Sequence, residues 1–469
     1  MDYYYYDEPE NDLEHQAEDY EYDADLVGEE SFSDLCKGCI AQTSYQIQQY
    51  IIILLSCGLV HVILWEATKR VREVNVLYHL ISILCGLLSL WLYVGSSSTV
   101  YVLIHIFNIC FFLRLVLAIN INHKGLWACI YTIGCQLLSE IALGEEKFES
   151  IRGPLMLVSM KLISVAFDIQ DERENFHWSS TLGYLCSPSS LILGPWIPFR
   201  TYRDKNKIGS KRWKILKIIL YVISSVVFLN LSNCILPWLK QLWNGGLWYR
   251  IYLDALAVRC SHYFISYLSH ATLLVNCWPP SFHIVKPLEI EFPRSLSTAI
   301  RNWNIPMHLW LKSSVFHRVR SSQGRRSHFI AIITTYLVSC LVHGFNYKVH
   351  LVLVSLGLFS YFENNLRRTL AQVFNACIEA YPCRGNCKYK HCTRGHSLMS
   401  WHSKRQVVMV RLVNFMFSFI AIVQLAYLGI MLNSSNPSSS FIDHLLVWSH
   451  MNFFGHWLAC AMAIFYVAI

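Results

Sequence analysis

Long apolar runs alternate with short polar loops along this chain. Eleven runs reach or approach the roughly 20 residues needed to cross a bilayer. They lie near 47–65, 75–95, 99–119, 125–143, 154–169, 214–236, 251–276, 327–345, 349–366, 407–432 and 445–469. The pattern predicts an all-α polytopic membrane helix bundle. A further apolar segment, 181–199, reads differently, because it holds CSPSS (Cys186 to Ser190) and GPWIP (Gly194 to Pro198). Its prolines and glycine break a helix. Non-helical backbone survives at membrane depth only where other protein buries it. This segment is therefore expected to be re-entrant, entering and leaving on one side.

The loops carry the charge. Basic clusters fall at 67–73 (Lys69, Arg70, Arg72), 200–213 (Arg200, Arg203, Lys205, Lys207, Lys211, Arg212), 312–326 and 384–405. With eleven spans and one re-entrant segment all four fall on one side, which the positive-inside pattern assigns to the cytoplasm. That topology puts the N-terminus in a lumen or outside, and the C-terminus in the cytoplasm. The longest loop, 277–326, is too polar to span. Its Phe292, Trp303, Trp310 and Phe316 predict segments at the membrane interface or folded into the bundle.

Composition sharpens this picture. The chain is 54% hydrophobic and only 15% charged, where a soluble domain carries about 25% charged residues. The net charge of +8 conceals a division. Residues 1–34 hold fourteen Asp or Glu and no Lys or Arg, so the remaining body is strongly basic. The Tyr-rich acidic tail cannot bury a core and is expected to be disordered, which leaves 35–469 as the membrane domain. The first thirty residues do not read as a signal peptide, so insertion is expected to rely on the first internal span. Basic residues confined to short loops suit anionic lipid headgroups, and no nucleic-acid partner is expected.

Two polar residues stand out as candidate chemistry. His343 ends an apolar span, in TYLVSCLVHGF. An ionisable group there is a functional hypothesis by default, and imidazole suits a general base near neutral pH. The alternative is a histidine bonded to a neighbouring helix. Asn304 precedes Pro306 in RNWNIPMHLWLK. Its carboxamide suits a donor to an oxyanion, or simply a helix cap. Lys161 and Asp168, in or beside a short span, read as buried groups that pair with others.

WN-x-P-x-x-x-WL, followed about forty residues later by a span with a histidine, resembles the membrane-bound O-acyltransferase family. MLVSMKLISVAFD (156–168), LGPWIPF (193–199), KPLEIEFPRS (286–295), NWNIPMHLWL (302–311) and LVHGF (341–345) narrow the match. In that order they resemble the branch that acylates secreted Wnt proteins on serine in the endoplasmic reticulum membrane. The resemblance implies a bundle with an internal tunnel, palmitoleoyl-CoA as donor and a Wnt serine as acceptor, with another protein or a lipid acceptor as the alternative within the family. No other cofactor is required for catalysis. It maps the two signature positions onto His343 and Asn304. His343 is expected to act as base, with Asn304 orienting the donor or assisting the oxyanion. Trp196, Trp303, Trp310 and Gly344 are expected to shape the cavity. Lys286 and Arg294 are expected to meet the CoA phosphates or, equally, lipid headgroups.

Two cysteine clusters lie outside the spans. Cys377, Cys383, Cys387 and His391, followed by Cys392 and His396, offer the ligands of a structural zinc site. S-acylation and plain thiols are the alternatives. Cys36 and Cys39 form a lone C-x-x-C, able to pair as a disulfide in a lumen. Most other cysteines sit singly in apolar spans, as small buried hydrophobes. A transporter is the rival class, since it too is polytopic with broken helices at depth. The two halves of the chain show no repeat to support it.

Overall fold

The computed structural model describes residues 32–68, 74–119, 121–171, 175–204, 214–243, 245–278, 282–320, 325–383, 387–392, 401–433 and 441–469. The acidic tail up to residue 31 lies outside them, as do Lys69, Arg70, Arg72, Lys205, Lys207, Lys211, Arg212 and His396. Among the described residues there is no β-strand, only an isolated bridge between Ala376 and His391.

Each apolar run forms helix. In chain order these are α1 (Ala41–Thr68), α2 (Val74–Val94), α3 (Ser96–Ile119), α4 (Lys124–Leu143) and α5 (Glu145–Gln170). After α6 (Trp178–Leu185) come α7 (Lys214–Asn230) and α8 (Leu247–Val275). The long loop contributes two short helices, α9 (Leu296–Trp303) and α10 (Ile305–Leu311). The chain ends with α11 (Arg325–Val342), α12 (Tyr347–Val373), α13 (Trp401–Asn433) and α14 (Phe454–Ala468). Among the described residues, seven helical stretches are long and apolar enough by themselves to cross a membrane. α11 and α14 are apolar but shorter. α8 and α12 have the length, yet carry Arg259, His262 and His270, or Glu363 and Arg367. These polar groups face the bundle interior, the arrangement expected of ionisable residues at depth.

Large apolar side chains cover the outer faces; Phe107 and Phe111 on α3, Ile141 on α4 and Phe415 on α13 are all exposed. An apolar exterior of this extent suits lipid rather than water. Inside, one core joins α1 to α5, and a second joins α8 to α12, α13 and α14. Between them a third core gathers Ile133 of α4, Met160 and Ile163 of α5, Trp196, Trp310 of α10 and Val342 of α11.

Three departures from the sequence expectations have physical causes. The 1–34 tail is not unstructured to its end, because Phe32–Leu35 already form a helical turn. The last apolar run is not one helix. It splits into Phe441–Ser449 and α14, because Asn452 and Phe453 adopt positive φ and end the first piece. Cys39 pairs not with Cys36 but with Cys234, which fastens the start of α1 to the wider turn after α7. The end of the bundle holding that disulfide is called the disulfide side below, and the opposite end the loop side.

The 181–199 segment behaves as its composition predicts. α6 runs for two turns, then the chain continues without helix from Cys186 to Pro198. It doubles back: the Tyr184 hydroxyl donates to the Ile197 carbonyl, and Gly183 abuts Tyr202. Lys161 of α5, fully buried, donates to the carbonyls of Tyr184 and Leu185, both at 3.2 Å. Its partner is therefore the C-terminal end of α6, where a cation offsets the helix dipole and the unpaired carbonyls.

Candidate acyl-transfer site

Asn304 stands between α9 and α10. It is the N-cap of α10, with Oδ1 accepting from Met307 N at 3.1 Å. This is the cap that its position before Pro306 suggested. The cap engages the oxygen only; the Nδ2 donor forms no hydrogen bond among the described residues. The loop approaching it is fixed by backbone bonds from Lys286 N to Asn302 O and from Ile305 N to Ile284 O.

Sequence reasoning set Asn304 in a long loop with segments at the membrane interface or folded into the bundle. The structure folds that loop into the bundle. Trp303, next to Asn304, stacks on the imidazole of His262 with ring centroids 4.6 Å apart, and its carbonyl accepts from His262 Nε2 at 2.8 Å. His262 lies near the middle of α8, about 20 Å along the helix from Val275 at 1.5 Å per residue. Two buried or half-buried anchors hold the loop at this depth. Arg259 of α8 pairs with Glu291 at 2.8 Å, and Tyr263 donates to the same carboxylate.

His343 directly follows the last residue of α11, in a tight turn before α12. The turn is pinned from three sides. Gln136 of α4 donates to Val342 O at 2.7 Å, and Glu140 accepts from Phe345 N at 2.8 Å. His350 of α12 donates through Nε2 to Gly344 O at 2.6 Å. Gly344 has φ +81, and a Cβ there would stand 2.4 Å from the Glu140 carboxylate. Glycine is thus demanded by backbone shape and by the close approach of Glu140, so Gly344 shapes the turn itself.

The third core joins these two elements. Met307, Trp310 and Leu311 of α10 share it with Val338 and Val342 of α11. Trp310 is fully buried and donates to Met160 O at 3.0 Å and to Ser164 Oγ at 3.1 Å. Trp196 donates to the same Ser164 Oγ at 2.9 Å. Two of the three tryptophans singled out from the sequence therefore meet at one hydroxyl. On the loop side a cavity of about 510 Å³ reaches inward to Trp196 and Ser164. Asp171 and Arg318, which form a two-pronged ion pair at 2.6 and 2.7 Å, also line it. Neither Asn304 nor His343 lines that cavity.

The remaining candidates divide. Lys286 is exposed, at the start of a one-turn helix. Arg294 is engaged internally, donating to Glu379 O at 3.0 Å and Cys377 O at 2.9 Å. It is a clamp on the cysteine segment. In that segment the sulfurs of Cys377, Cys383, Cys387 and Cys392 lie within 4.8 Å of one another. The fourth member is Cys392, not the expected His391. His391 pairs through its backbone with Asn375 and Cys377. Successive side chains on an extended stretch point to opposite sides, so Cys392 faces the cluster.

Sequence reading missed His262, Gln136, Glu140 and His350. The rule that flagged His343, an ionisable group in an apolar span, applies equally to His262. Gln136 and Glu140 near the end of α4 gave a weaker form of the same signal.

Residues 281–392, the stretch holding both signature positions, match MBOAT, the membrane-bound O-acyltransferase family. Over most of its length the chain is also similar to proteins named protein-serine O-palmitoleoyltransferase porcupine. The Drosophila melanogaster protein is 31% identical, covering 96% of this chain and 92% of the relative. The Anopheles gambiae protein is 29% identical over the full length of both. The Homo sapiens protein is 27% identical over 93% of this chain and 98% of its own. The chain belongs to the porcupine branch of the membrane-bound O-acyltransferase family.

Proposed function

We propose that this chain transfers a palmitoleoyl group from palmitoleoyl-CoA to a serine hydroxyl of a secreted Wnt protein, within the endoplasmic reticulum membrane. The convergence of α10 and α11 on one apolar core carries this reading. That core holds Met307, three residues after Asn304, and Val342, next to His343. His343 takes the proton of the serine hydroxyl, and the oxygen attacks the thioester carbonyl. Asn304 Nδ2 donates to the carbonyl oxygen as negative charge builds there. The C–S bond then breaks, an ester remains on the protein, and CoA leaves with the proton as its thiol. An apolar surround limits competing hydrolysis. Trp196 and Trp310 wall the acyl path, and the cavity beside Arg318 is the donor's vestibule on the loop side.

Names of relatives support the acceptor and the donor, and the bundle supports the membrane setting. A transporter reading has no matching relative behind it. The test uses purified protein, labelled palmitoleoyl-CoA and a folded Wnt serine hairpin. Label should pass to the hairpin with the natural chain. His343→Ala should give transfer lower by about 10²-fold or more, with donor binding retained. Turnover that survives His343→Ala would remove the histidine from the proton-transfer role.

A further inference from the structure

We propose that Cys377, Cys383, Cys387 and Cys392 bind one zinc ion, and that this metal knot holds α9 in the position that presents Asn304. The geometry comes first. Four thiolates at about 2.3 Å from zinc form a tetrahedron with edges of about 3.8 Å. All four sulfurs here lie within 4.8 Å of one another, and Cys383 and Cys392 are 3.4 Å apart. Small rotamer adjustments close the site. A set of soft thiolates with no open position is the donor set of structural zinc. On binding, each thiol gives up its proton to solvent.

The second observation is what the knot touches. Arg294 and Ser295, which lead into α9, bond to the carbonyls of Cys377, Glu379 and Ala380. One turn later, Thr298 reaches the Ala380 carbonyl. One further turn on, the Arg301 guanidinium lies 4.0 Å from the centre of the Tyr381 ring. One face of α9 is thus docked along the cysteine segment. From the other side, Glu363 accepts from Leu296 N at 2.8 Å, and Arg367 donates to Arg294 O and Glu379 O. Asn414 of α13 donates to Cys377 O. α9 ends at Trp303, and the next residue is Asn304.

Segment 376–392 has little apolar substance of its own: Ala376 and Ile378 with Ala371 and Val410 make its core. A metal supplies the cross-link that a core of this size does not. Loss of the metal should therefore loosen α9 and displace Asn304, while the His343 turn, held by α4 and α12, stays in place. The metal site stands apart from the reaction proposed above; only the effect on the donor rests on it.

The experiment is metal analysis of the full chain in detergent, with thiol counting and thermal denaturation, followed by acyl-CoA kinetics. One zinc per chain is expected, lost in Cys392→Ser and retained in His391→Ala. Stripping wild-type protein with a zinc chelator should lower its melting temperature. It should lower kcat with palmitoleoyl-CoA about fivefold or more, equivalent to about 1 kcal/mol of lost transition-state stabilisation, and readdition of zinc should restore it. A well-folded chain without metal, or with a Cys383–Cys392 disulfide, overturns the site. Zinc that follows His391 in place of Cys392 overturns the ligand set. Zinc whose removal changes neither melting nor kcat overturns the positioning role. If no acyl transfer is found at all, metal content and melting still decide the first claim.

Discussion

The two ends of the Asn304 carboxamide have different tasks, and substitution can separate them. The oxygen caps α10 through Met307 N, a contact worth about 1 kcal/mol. The nitrogen is the donor proposed to meet the thioester carbonyl. Aspartate keeps a capping oxygen and removes the N–H, whereas alanine removes both. Asn304→Asp is therefore expected to melt within a degree or two of wild type, yet turn over about 10²- to 10³-fold more slowly, the usual cost of one oxyanion donor. Asn304→Ala should show the same loss of rate together with reduced stability. Turnover and melting temperature measured on both variants decide the point. If Asn304→Asp stays fully active, the amide serves only as a cap.

At the scale of an element, the re-entrant segment shows how a buried charge can hold an otherwise unstable backbone. α6 ends inside the bundle, where its last carbonyls have no water to meet. Lys161 answers two of them. Hydrogen bonds to a charged donor contribute about 1.5–3 kcal/mol, and buried acceptors left without a partner add to the loss. Lys161→Met keeps the aliphatic stem and removes the ammonium. It should lower the thermal midpoint by several degrees and expose the 186–198 stretch to limited proteolysis; unchanged melting and cleavage would sink this role. The break at 181–199 was legible in the sequence because proline and glycine forbid helix by local sterics alone. So were the helices, since bilayer length and apolar character are also local properties. Depth was not legible. The sequence left the 282–320 stretch either at the membrane interface or folded into the bundle, because Glu291, Arg294 and Arg301 are charged and their partners lie far away in the chain. Only the fold shows their partners: Arg259, the carbonyls of 377–379, and the Tyr381 ring. The same blindness to partners put His391 in the thiolate cluster where Cys392 belongs, and paired Cys39 with its sequence neighbour where the fold brings up Cys234.

For the molecule as a whole, we propose an orientation in the membrane from two kinds of cysteine chemistry. The Cys39–Cys234 disulfide closes a separation of 195 residues on one side of the bundle. Disulfides persist in a lumen and are rare in the cytosol. The four clustered thiols sit at the other end, beyond the last turn of α12, where a reducing compartment keeps them available to metal. Charge agrees with this division. Arg200, Arg203, Lys312, Arg318 and Arg320 are all exposed on the loop side, which the positive-inside pattern assigns to the cytoplasm. The orientation also suits the reaction, with acyl-CoA arriving through the cavity beside Arg318 and a secreted protein meeting the His343 turn from the lumen. Two exposed positions test it: Arg320 on the loop side and Glu146 at the start of α5. In sealed vesicles with the cytoplasmic face outward, a bulky impermeant maleimide should modify Arg320→Cys directly. It should modify Glu146→Cys only after detergent, with the parent chain subtracted as background. The reverse pattern would invert the molecule in the membrane and put the disulfide in the cytosol, where it should not persist. Modification of both positions without detergent would mean that the two ends are not on opposite sides, and the two-sided route for donor and acceptor would fail with it.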